Sequence, residues 1–164
     1  MPAVLLKLFP DSRGAAAAEL AMLLPFLILL MFGSFETGKF FLDSHTIQKA
    51  VRDGARYAAR QSFTNMPCGG TATNETAIRN LVRTGTTQSG GTPRVTYWTD
   101  PATITVTITC DTGQTYSSAG LYTAVAGGAR RVRVSALVPY NTLFGITLGS
   151  ASVQARSEAA VMGI

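Results

Sequence analysis

Arg13-Gly14-Ala15-Ala16-Ala17-Ala18-Glu19 opens directly into Leu20–Phe35, a run without a charged residue. With Ala15–Ala18 included, the tract is broken only by Glu19, and its length suits a membrane span. About 20 apolar residues cross a hydrocarbon core roughly 30 Å thick. A soluble amphipathic helix carries a polar stripe at period 3.6, and Leu20–Phe35 has none. The stretch therefore reads as a membrane helix. Glu19 is out of place in it, since a charge at the bilayer centre costs about 2.5–3.5 kcal/mol on insertion scales. Two readings are open: a carboxylate near one end that snorkels to the interface, or an acid that meets a cationic partner inside the membrane.

Flanking charge sets the orientation. Lys7 and Arg13, with Asp11, precede the tract, and short basic segments are retained in the cytoplasm. Residues from about Glu36 onward then lie outside. Lys39, Lys49, Arg52, Arg56 and Arg60 follow the helix and weigh against this, although long translocated regions are less bound by the rule. A secretory signal peptide is the rival reading. Its apolar region runs 7–15 residues and ends in an A-x-A-like site, whereas the nearest small-residue site here is the poor Gly33-Ser34-Phe35-Glu36.

The order of basic leader, Gly14, four small residues, Glu19 and a long apolar helix resembles a prepilin of the type IV filament class. The resemblance implies that a prepilin peptidase cuts after Gly14 on the cytoplasmic face, making Ala15 the new N-terminus and Glu19 the fifth mature residue. It also implies that Glu19 pairs with the free amine of a neighbouring subunit during assembly. The physics is sensible, because an ammonium and a carboxylate are each costly in lipid and pairing offsets both costs. A second stretch, Thr46-Ile47-Gln48-Lys49-Ala50-Val51-Arg52-Asp53-Gly54-Ala55-Arg56-Tyr57-Ala58-Ala59-Arg60, resembles the TadE-like family, minor pilins (pseudopilins) of the tight-adherence pilus system. The resemblance covers Arg13–Arg60; the remainder matches only in general layout. It implies a bacterial inner-membrane protein with a single pass, whose partners are the prepilin peptidase, other pilin subunits, inner-membrane assembly proteins and membrane lipid.

Read without the family, Phe40, Ile47, Val51, Gly54 and Ala58 recur at spacings of one helical stripe, with Asp43, Lys49, Arg52, Asp53, Arg56 and Arg60 on the other faces. The membrane helix is thus expected to continue outward, as one helix over Ala15–Gln61. Gly54, beside Ala55, permits close approach of another backbone. Pro25 removes one backbone bond inside the helix, so a kink is expected there.

Beyond Gln61 the pattern changes. Pro67, Cys68, Gly69 and Gly70 mark a loop over Ser62–Thr73. Asn74 is placed to cap a short helix, Glu75–Arg83, with Gly85 past its end. Strands are predicted at Arg94–Thr99, Thr103–Cys110, Arg130–Pro139 and Ser150–Val161. Of these, Thr103–Cys110 alternates Thr with Ile104, Val106, Ile108 and Cys110 without a fault. The expected fold is α+β and pilin-like: a long N-terminal membrane helix continuing into an amphipathic helix, packed on a mostly antiparallel sheet of about four strands. The expected divisions are a leader at 1–14, a membrane helix at 15–35, its amphipathic continuation at 36–61 and an extracytoplasmic domain at 62–164.

Cys110 continues an inward row and should point at the layer carrying the Cys68 loop, so a Cys68–Cys110 bond is expected in an oxidising periplasm. The alternative is two unpaired buried thiols. The Pro139–Gly149 loop has too many large apolar residues for a plain solvated turn; it either tucks under the sheet or forms a partner-binding or membrane-apposed edge.

Chemistry is sparse. His45 is the one histidine and falls on the polar side of the helix; carboxylates are few and dispersed. No metal-ligand spacing, nucleophile elbow or phosphate-cradling glycine motif is present, so neither catalysis nor a cofactor is expected. The net charge of +5 comes with no recognition-helix pattern, so nucleic acid is not an expected partner. Three function classes follow: a pilus assembly subunit, a single-pass anchored binding module, and a conventionally secreted protein.

Overall fold

The computed structural model describes residues 12–113, 120–145 and 151–164. They fall into two units, the part of the first helix up to Lys39 and a domain over Phe40–Ile164. Helix α1 spans Ser12–Ala59. Pro25 lies inside it and the helical assignment continues on both sides, so the proline costs a backbone bond rather than the element. In the first unit Leu20, Leu23, Phe26, Leu29 and Leu30 are all exposed, as a lipid-facing segment requires and a soluble core helix does not.

Within the domain, the outer part of α1 behaves as its stripe demands. Ile47, Val51, Gly54 and Ala58 are buried, Phe40 is half-buried, and Arg52, Arg56 and Arg60 are exposed. Helix α2, Glu75–Thr84, crosses close by and buries Ile78 and Val82. It ends at Gly85, whose φ of 84° turns the chain while its N–H donates to Leu81 O. Asn74 occupies the N-cap position, but its side chain makes no capping hydrogen bond. The two helices approach at Gly54, where an added Cβ would fall 2.3 Å from Val82 Cγ2. Gly54→Ala should therefore destabilise the domain by about 1–3 kcal/mol despite alanine's better helix propensity. Combining it with Val82→Ala should restore part of that loss, and urea denaturation of the four proteins of the cycle measures the coupling.

The sheet has three strands, not four: β1 (Ile104–Asp111), β2 (Ala129–Pro139) and β3 (Ser152–Ala160), all antiparallel in the order β1-β2-β3. Ile104 pairs with Ala136, and Arg131 with Ala160. Val132, Val134, Ala136 and Val138 of β2 are buried against the helices with Val153 and Ala155 of β3. The opposite face carries Thr105, Thr107, Arg131, Arg133 and Glu158 in solvent.

Arg94–Thr99 is a turn rather than the expected strand, with Trp98 N–H donating to Val95 O at 2.9 Å. Val95 and Trp98, three apart, are both buried, which a pleated strand of period 2 does not permit. Polar bonds to the outer faces of α1 hold the turn. Arg94 Nη1 lies 3.0 Å from Asp53 Oδ2, and Tyr97 donates its hydroxyl to Asp43 Oδ2 at 2.9 Å. Trp98 Nε1 donates to Thr103 Oγ1 at 2.8 Å.

Burial and the Asp43 carboxylate beside it push the Tyr97 phenol well above its ordinary value of about 10. A raised folded-state value favours the neutral phenol, so its contribution is complete below about pH 10 and is lost as the pH rises beyond that. Urea midpoints should fall above pH 10, and less steeply in Tyr97→Phe.

Cys68 and Cys110 are joined in a disulfide, with Cα atoms 5.7 Å apart. Of the inward row of β1 only Ile104 is fully buried, Cys110 is half-buried and Cys68 is exposed, so the bond closes the rim of the core rather than its centre. Arg130 is buried next to it. Its Nη1 donates to the Phe63 and Met66 carbonyls, its Nη2 donates to Ala126 O at 2.7 Å, and its guanidinium lies 5.1 Å from the Phe63 ring centroid.

Candidate functional site

Gly14, Ala15 and Glu19 lie in the first turns of α1, and Gly14–Leu20 is exposed throughout. Ala15 and Glu19 are four residues apart, which places them on one side of the helix. A free amine at Ala15 would thus begin a helix with Glu19 in its early turns, where the helix dipole favours a carboxylate. The arrangement presents an acid at the edge of an apolar surface. The leader residues 1–11 lie outside the described residues.

The remaining predicted site residues fall elsewhere. Pro25 is in the exposed apolar segment, and Cys68 and Cys110 form the rim disulfide of the domain. His45 is exposed, and among the described residues no three His, Cys, Asp or Glu side chains are grouped to hold a metal. The Pro139–Gly149 loop divides: residues 146–150 lie outside the described residues, while Tyr140 packs edge-on against Phe40 and Tyr97 at centroid distances of 5.2 and 6.2 Å. Leu143 and Phe144 are exposed.

Two features were not read from the sequence. Asp43 and Asp53, on the polar faces of α1, hold the 94–98 turn. Lys49, Arg52, Arg56 and Arg60, spaced three and four apart, form a single exposed basic stripe along α1, and no ion pair reaches any of them among the described residues.

A long exposed apolar N-terminal helix, a second helix and an antiparallel sheet make this an α+β protein, with the helix a candidate membrane anchor. Residues 14–56 match the family model described as TadE-like protein, so this N-terminal segment is similar to that family. No curated protein and no solved structure matches the chain.

Proposed function

We propose that the chain is a minor pilin (pseudopilin) cut between Gly14 and Ala15 by a prepilin peptidase on the cytoplasmic face of the bacterial inner membrane. The mature subunit then lies across that membrane once, with its α+β domain outside, and enters a tight-adherence pilus used for surface attachment. Glu19 answers the Ala15 amine of a neighbouring subunit, and the pair offsets the cost of holding each charge in an apolar setting. Pro25 supplies the bend used when the helix leaves lipid for the filament. The observation that carries this reading is the succession of Gly14, four alanines and Glu19 at the head of an exposed apolar helix, within the TadE-like segment.

Co-expression with and without a prepilin peptidase, followed by N-terminal sequencing, tests it. The mature chain should begin at Ala15 only when the peptidase is present. Glu19→Ala should leave cleavage intact and reduce recovery in sheared pili at least tenfold. A chain that keeps Met1 in the presence of the peptidase overturns the reading and leaves an anchored binding module. One that begins after about residue 34 marks ordinary secretion.

A further inference from the structure

β3 is an edge strand, and its register with β2 shows which backbone groups are free. Tyr140 N–H donates to Ala151 O and Val161 N–H donates to Arg130 O, so odd-numbered residues of β3 direct their N–H and C=O groups at β2. Ser152, Gln154 and Arg156 therefore direct theirs away from the sheet, and among the described residues no hydrogen bond reaches them. Natural sheets seldom leave such an edge open without covering it.

A shallow groove runs along this edge, walled by the outer part of α1. At one end Phe41 faces Ser152–Gln154; at the other Gln48 and Arg52 face Gln154–Ser157. The strand side covers six residues, roughly 20 Å at 3.3 Å per residue. The two ends differ chemically. Phe41 is 57% exposed, a large apolar ring beyond the membrane tract. Arg52 and Arg156 are exposed cations without a carboxylate partner. The acids beside them in sequence are committed, Asp53 to Arg94 at 3.0 Å and Glu158 to Arg133 at 2.5 Å.

We propose that this groove takes an extended acidic segment of another polypeptide as a fourth strand on β3. Its backbone would complete the free ladder, a carboxylate would meet Arg52 on the helix side while Arg156 adds positive charge from the other face of the strand, and an apolar residue would cover Phe41. A second copy of this chain is the weaker occupant, because pairing two β3 edges brings Arg52 and its partner-side equivalent together. The site does not depend on cleavage after Gly14, so this proposal and the pilin reading fail separately.

The test uses the full chain in zwitterionic detergent micelles and fluorescein-labelled eight-residue peptides of alternating Thr and Glu with Leu at one terminus, in both orders. Fluorescence anisotropy should show saturable binding of one order. A peptide with Lys in place of Glu should bind at least tenfold more weakly. N-methylation of every second backbone amide should abolish binding in one phase and spare it in the other, since only alternate amides of an added strand face β3. Arg52→Glu with Arg156→Glu should transfer the preference to the Lys peptide. Gln154→Pro, which removes an outward N–H and no β2–β3 bond, should weaken binding at least tenfold. Equal binding of the Glu and Lys peptides, or indifference to N-methylation in both phases, overturns the proposal. So does dimerisation that Gln154→Pro abolishes, or preference for phosphatidylglycerol micelles over every peptide.

Discussion

Replacing Cys68 and Cys110 together by serine is expected to lower the unfolding free energy of the domain by about 4 kcal/mol. The bond joins residues separated by 42 positions, and closing a loop of that size removes about 13 cal/mol/K from the unfolded chain on the chain-entropy account. Against the 5–15 kcal/mol typical of a whole domain, that is a large share. The bond also acts away from the centre of the core, because β1 is fully buried only at Ile104 and Cys110 is half-buried. Gly127 belongs to the same rim: its φ is 91°, and an added Cβ would fall 2.8 Å from Cys68 Sγ. Urea denaturation of the full chain in micelles measures the effect. Reductant should move the unmodified protein to the midpoint of the double variant and leave the variant unmoved. A difference below about 1 kcal/mol would show that the 62–70 loop is held by other means.

How much of this was legible in the sequence depends on the range of the interaction. Local period carried far: the stripe Ile47, Val51, Gly54 and Ala58 is buried, and the alternation of Ile104, Val106, Ile108 and Cys110 became β1 with Cys110 bonded to Cys68. Arg94–Thr99 misled because Val95, Tyr97 and the threonines have strand character. The turn is imposed by Asp43 and Asp53, more than 40 positions earlier, and by burial of Trp98. Tertiary contacts outweighed propensity there. The candidate cleavage and assembly residues were legible for the opposite reason. Gly14, Ala15 and Glu19 form a short linear pattern, and the fold adds only their helical spacing and exposure. The open β3 edge could not be read, since it follows from pairing register and from the absence of a fourth strand among the described residues.

Arg130 carries the second large expectation, and its place was half visible. It stands beside Arg131 and Arg133 in a basic cluster, yet alternation sets it with Val132 and Val134 on the inner face of β2. The structure resolves the conflict by giving the guanidinium the Phe63, Met66 and Ala126 carbonyls, so the charge is buried only with acceptors on two nitrogens. Arg130→Met keeps the length and apolar stem but leaves those carbonyls without this donor. The expected loss is about 3–5 kcal/mol, since a buried acceptor left unsatisfied costs about 1–3 kcal/mol and three carbonyls lose this donor. Arg130→Lys should recover only part of it, because an ammonium is a compact donor and cannot span acceptors set for a planar fork. Phe63 and Met66 precede Cys68 in the same loop, so the disulfide and the arginine restrain one segment from two sides. Their losses should therefore not add: once the Cys68–Cys110 bond is gone, the loop can leave with its carbonyls and find water. Urea denaturation of the single and combined variants should give a total at least 1 kcal/mol smaller than the sum. Strict additivity would mean that the rim disulfide and the buried guanidinium stabilise independent parts of the domain.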